Sequence, residues 1–217
     1  NSSDKEVLEY YNTDKETVLN KIKEYELELD NAQNKDEESA IIEKIWSLLP
    51  YTKIFSDNFS DGNRLDGYTV AKNVQIVNGM LELDNSGERA RILKSLSGYE
   101  SFICEFDFKQ DVISDIGSII RITDGNGEKE VIKLYSQNGA LKLYYGFEGS
   151  YKSTVLLDSY TEKQCYKIRL YPDMELKKTY VYIDETFFGA YDFMYTDIEN
   201  MNRIFDSYID SEGAYFI

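Results

Sequence analysis

Apolar positions recur every three to four residues up to Pro50 and every second residue beyond it, so the pattern predicts helices first and strands afterwards. Thr13-Asp-Lys-Glu16 has the Ser/Thr-x-x-Glu spacing of a capping box, which predicts a helix start. Val18, Ile22, Tyr25, Leu29 and Ala32 then lay one apolar stripe along a helix of roughly 20 residues. Asn34 with Glu37 offers a second cap, and Ile41, Ile42, Ile45, Trp46, Leu48 and Leu49 form a wider apolar face that Pro50 ends. Residues 1–50 therefore read as a helical hairpin. Two helices alone cannot enclose such a face, which packs on the following domain, meets a protein partner or self-associates through a coiled-coil-like stripe.

Residues 51–217 read as a β-sandwich domain whose hairpins can be registered from their turns. Asn78-Gly79 and Asn138-Gly139 suit two-residue turns in which both residues take positive φ. The first pairs Ile76 with Leu81 and Val74 with Leu83; the second pairs Leu134 with Leu143 and Ile132 with Tyr145. A third hairpin folds at Asp184-Glu185 and aligns Val181 with Phe188 and Tyr182 with Phe187. Further strands fall near 68–77, 89–96, 99–110, 116–123 and 165–171, and the one later stretch suited to a helix is Thr196–Arg203. So many strands predict a mainly β fold, an antiparallel two-sheet sandwich of jelly-roll type or a barrel, behind the helical hairpin.

Composition narrows the chemistry. The 217 residues contain no histidine, which removes Ser-His-Asp and Cys-His catalysis and histidine metal sites. A formal charge of −16 repels nucleic acid and anionic bilayers and argues against both as partners. No run of ~18 apolar residues suggests a membrane span, and the opening residues carry no signal pattern, so any export signal lies upstream of them. By strand parity Cys104 shares a face with Phe102, Phe106 and Phe108, whereas Cys165 shares one with Lys167 and Arg169. One thiol points inward and the other outward, which favours free cysteines over a bridge and leaves the redox compartment open.

The order of features after Pro50 resembles the concanavalin A-like lectin/glucanase superfamily, in particular laminin-G-like and carbohydrate-binding jelly-roll modules of secreted bacterial proteins. The residues that carry the resemblance are Phe55-Ser-Asp-Asn-Phe-Ser-Asp-Gly62, Val77–Leu83, Phe102–Phe108, Cys165–Leu170 and Tyr180–Asp184. Cys165 departs from the pattern, since a tryptophan often begins that strand. The resemblance implies a two-sheet fold, an extracellular or cell-surface location, a glycan or other surface ligand, and a structural calcium near the terminal strands. Calcium would fall on Asp57, Asp61 and Asn63, hard oxygen ligands in a turn that also suits plain turn formation.

Carbohydrate modules lay aromatic rings against sugar C–H faces while polar groups meet the hydroxyls. Opposite the core, the central hairpin presents Lys133, Tyr135, Lys142 and Tyr144, and the later hairpin adds Tyr182 and Phe187 as a joint ligand platform. Such a face is either covered by the helices or used for binding. Two other functions compete with glycan binding: a scaffold meeting protein through the same tyrosines, and a polysaccharide hydrolase or lyase. Glu105 and Asp107 resemble the first two acids of the laminarinase-like Glu-x-Asp-x-x-Glu motif, but Gln110 holds the third place, leaving no proton donor. Asp124-Gly-Asn-Gly-Glu128 reads as a hairpin turn, because Lys129 stands where an EF-hand loop needs glycine.

Overall fold

Asn34 starts a helix: its Oδ1 accepts the Glu37 N–H at 3.0 Å, while the Glu37 carboxylate accepts the Gln33 N–H at 2.8 Å. Orphan donors at the helix start are thereby satisfied reciprocally. A computed structural model describes residues 20–21, 23–29, 31–48, 65, 68–77, 80–84, 90–99, 102–110, 116–147, 150–209 and 214–216. The chain divides into two compact units, Asn1–Ser56 and Asp57–Ile217. In the first, helix α1 (20–29) precedes helix α2 (Lys35–Leu48). Lys44 Nζ lies 3.5 Å from Glu28 Oε2 and 5.3 Å from the Tyr25 ring centre, tying α2 back to α1. Ile41, Ile42 and Ile45 are buried, as the apolar spacing predicts. The Thr13–Glu16 cap, Val18, Ile22, Leu49 and Pro50 lie outside the described residues.

The second unit holds β1 (Val70–Lys72), β2 (Val74–Val77), β3 (Met80–Asp84), β4 (Ala90–Tyr99), β5 (Cys104–Gln110), β6 (Ile116–Thr123) and β7 (Glu130–Gln137). It continues with β8 (Ala140–Phe147), β9 (Ser150–Leu157), β10 (Cys165–Asp173), β11 (Lys178–Ile183), β12 (Thr186–Asp192), β13 (Met201–Ile209) and β14 (Ala214–Phe216). They form two seven-stranded sheets, ordered β1-β4-β13-β6-β7-β8-β9 and β12-β11-β10-β5-β14-β3-β2, and every pairing is antiparallel. Ile120, Ile132, Leu134 and Leu143 of the first sheet and Phe106, Phe108, Ile168 and Val181 of the second share one core. Each such side chain contributes ~1.5–3 kcal/mol through burial. The fold is the antiparallel sandwich that the period of two predicts.

Most turn registers agree with the turn chemistry. Asn138 and Gly139 take φ of 51° and 76°, and Leu134 faces Leu143. Val74 faces Leu83 and Ile76 faces Leu81. The β6–β7 turn is held by Asp124, whose Oδ1 accepts the N–H of Glu128 and of Lys129 at 3.1 and 3.3 Å.

Three expectations need correction. The β7–β8 ladder ends at Lys133 opposite Tyr144, before the expected pair of Ile132 with Tyr145. There the chain around Phe193 intervenes: the Met194 N–H donates to the Val131 carbonyl at 2.9 Å, and the Phe193 carbonyl occupies the space beside Gly146. In the third hairpin Tyr182 does face Phe187, but a bulge sets Val181 opposite Gly189 rather than Phe188. Thr196–Arg203 is not a helix. Ile198, in the loop before β13, and Met201 and Ile204 within it are buried at spacings of three; a register shift between Met201 and Arg203 lets the strand bury residues three apart, so loop and bulged strand together mimic the helical period.

Candidate functional site

On β7, Ile132, Leu134 and Ser136 turn to the core, which leaves Lys133, Tyr135 and Gln137 on the outer face of the first sheet. On β8, Leu141 and Leu143 point inward and Lys142 and Tyr144 outward. The Asn138-Gly139 turn sets Tyr135 opposite Lys142 and Lys133 opposite Tyr144, so the two tyrosines are diagonal neighbours. Their rings stack at 4.5 Å between centres and 13° between planes. Tyr151 on β9 meets Tyr144 edge-on at 5.8 Å and 77°. Exposure rises across the three rings, from Tyr135 at 4% through half-buried Tyr144 to Tyr151 at 61%.

Polar groups frame the rings. Lys133 Nζ sits 5.8 Å from the Tyr144 ring centre, and Lys142 Nζ donates to Gln137 Oε1 at 2.8 Å. Burial first, then a hydrogen bond with Tyr144, pushes the Tyr135 hydroxyl up to about 12, against an opposing bond with Ser153. The phenol therefore stays neutral at physiological pH and keeps its proton to donate. Ser118, opposite Tyr135 on β6, is buried with no hydrogen-bond partner on Oγ, leaving an unused polar group beneath this face. Val155 on β9 faces Lys142 and is 44% exposed.

Four of the expected ligand residues, Lys133, Tyr135, Lys142 and Tyr144, thus come together. Tyr182 and Phe187 do not join them. They lie on β11 and β12 of the second sheet, on the side opposite the core-facing Val181 and Ile183, with rings 5.1 Å apart and nearly fully buried. Strand parity assigns a side chain to a face but does not say to which sheet. Tyr151, Ser153 and Val155 belong to the platform and were missed, because Lys152 and Thr154 on the other face of β9 are polar too, so Ser150–Leu157 shows no apolar alternation to read. Asp57, Asp61 and Asn63 lie outside the described residues.

The acidic strand is occupied otherwise. Arg169 Nε donates to Glu105 Oε2 at 2.8 Å, and Lys167 Nζ is 3.9 Å from Glu105 Oε1. Gln110 projects to the opposite side, where it is buried and its Oε1 accepts a hydrogen bond from the Tyr160 hydroxyl. The thiols divide as parity predicts, Cys104 buried and Cys165 exposed, both free.

Fold and site together define an antiparallel β-sandwich with a tyrosine platform on one outer face. Neither a protein-family model nor a curated protein sequence matches the chain. Among solved structures it is similar to a sialidase, with TM-score 0.62 and 15% identity over 75% of this chain and 18% of that one. It is similar also to the receptor binding domain of botulinum neurotoxin D, with TM-score 0.51 and 17% identity over 69% of this chain and 42% of that one. A third similarity is to the binding domain of botulinum neurotoxin DC in complex with rat synaptotagmin II, with TM-score 0.51 and 16% identity over 74% and 45% of the two chains. The chain spans less than half of each of these proteins, and the likeness is one of fold. Among the described residues no helix is long and apolar enough to cross a membrane.

Proposed function

We propose that the sandwich is a non-catalytic, exported binding module of the concanavalin A-like kind, which holds a glycan on the outer face of the first sheet. The observation that carries this reading is the run of Tyr135, Tyr144 and Tyr151, stacked, then edge-on, and increasingly open to solvent. The open Tyr151 ring, with half-buried Tyr144 behind it, suits the C–H face of a pyranose, and Lys133, Lys142, Gln137 and Ser153 supply donors and acceptors around it. On β6 to β9 the described outer face carries Arg121, Lys133 and Lys142 against Glu130, which is tied to Arg121 at 2.9 Å. In a chain of charge −16 this local excess of cations favours a saccharide bearing carboxylates. The ion pairing of Glu105 and the inward turn of Gln110 support a binding rather than a hydrolytic role.

A glycan array tests the proposal. Binding to a defined saccharide class that Tyr144→Ala and Tyr151→Ala each abolish, in proteins with unchanged melting curves, supports it. An array with no hit, or binding that both variants retain, overturns it. The same reading assigns a structural calcium to Asp57, Asp61 and Asn63 on their oxygen chemistry alone. A chelator then lowers the melting temperature of the chain, and an unchanged melt removes the ion.

A further inference from the structure

β9 ends the first sheet: β8 pairs with one side of it, and no described strand pairs with the other. An edge strand offers unpaired N–H and C=O groups, and proteins usually blunt such margins with charge, proline, bulges or brevity. The other margins follow that rule, β1 with three residues, β2 with four, and β12 with Asp192 and a bulge. β9 does not. It runs eight residues, Ser-Tyr-Lys-Ser-Thr-Val-Leu-Leu, without proline or an acidic side chain, and its bulge lies beyond Val155, at its far end. Its one charge, Lys152, lies over the Phe147 ring at 3.2 Å.

Among the described residues, Tyr151 and Val155 are two of the few large apolar side chains left exposed, at 61% and 44%. They share one face of β9 and stand two residues to either side of Ser153. We propose that β9 pairs antiparallel with β9 of a second copy of this chain, about a twofold axis through Ser153 and normal to the sheet. That axis brings like faces together and sets Tyr151 of each copy opposite Val155 of the other, an aromatic against a β-branched side chain. Lys152 falls opposite Thr154, and Ser153 faces its own counterpart. No carboxylate enters the seam, so two chains of charge −16 meet along a strand where neither presents negative charge. The pairing makes the two first sheets one continuous sheet and places both tyrosine platforms on one side of it, which would give a multivalent ligand two sites. It stands independently of what those platforms bind.

Sedimentation velocity on the full chain across a dilution series tests the pairing. The native chain is expected to sediment as a reversible dimer. Ser153→Glu alone and Ser153→Lys alone set like charges across the axis and should each give monomer, while mixing the two folded variants restores a dimer of one copy each. A native chain that stays monomeric throughout, or single variants that dimerise as the native chain does, overturns the proposal. Should either variant fail to fold, hydrogen exchange of the native chain decides: amides of Ser150–Val155 slow as concentration rises if the edge is paired, and exchange at a concentration-independent rate if it is not.

Discussion

A Cβ on residue 146 would collide with the Phe193 carbonyl oxygen, a backbone atom that cannot swing aside. Gly146→Ala is therefore expected to cost about 1–3 kcal/mol, as overpacking typically does, and to lower the melting temperature by several degrees. A melt indistinguishable from the native one would show that the 193–194 segment can move. Asp173 makes a subtler case. Burial raises its pKa, more than the Leu176 and Glu175 N–H groups on its carboxylate lower it. A carboxyl whose folded pKa lies above its unfolded one adds stability that is present below the unfolded value and lost as pH rises through the folded value. Urea unfolding across the range just above ordinary carboxylate pKa values should show this fall, and Asp173→Asn, which keeps an acceptor, should remove it. Parity along β5 and β10 made the thiols legible: Cys104 is buried, with its pKa pushed up to about 12 by burial, whereas Cys165 is exposed. A thiol reagent should consume one equivalent in the folded chain and a second only in denaturant.

Elements were legible wherever a turn or cap is specified by its own side chains. The Asn138-Gly139 turn and the Asp124 loop needed no tertiary knowledge, because positive φ and the Asx bonds select those residues locally. The α2 cap is of the same kind. Asn34→Ala is expected to cost about 1 kcal/mol and to speed amide exchange in the first turn of α2, with the β-strands of the other unit unaffected. What escaped were strands without a readable period. β9 alternates regularly up to Leu156, but Lys152 and Thr154 on one face are as polar as Ser153 on the other, and in β13 a register shift after Met201 lets Met201 and Ile204 both be buried three residues apart. Polar residues on both faces of an edge strand, and a bulge set by the neighbouring strand, each hide the period of two.

At the scale of the molecule, alternation settled which residues face the core but not which of two sheets each hairpin enters. That is why Lys133, Tyr135, Lys142 and Tyr144 were found together while Tyr182 and Phe187 proved to be buried on the other sheet. The platform is thus a property of β7, β8 and β9, with its most open ring supplied by a strand whose pattern gave no warning. The most direct test follows amide exchange, resolved along the sequence, in the chain with and without a saccharide that it binds. Slower exchange concentrated in β7, β8 and β9, and lost in Tyr144→Ala, is the outcome expected of a ligand lying on this face. Protection confined to the second sheet or to the helices, with β7 to β9 unchanged, would contradict it.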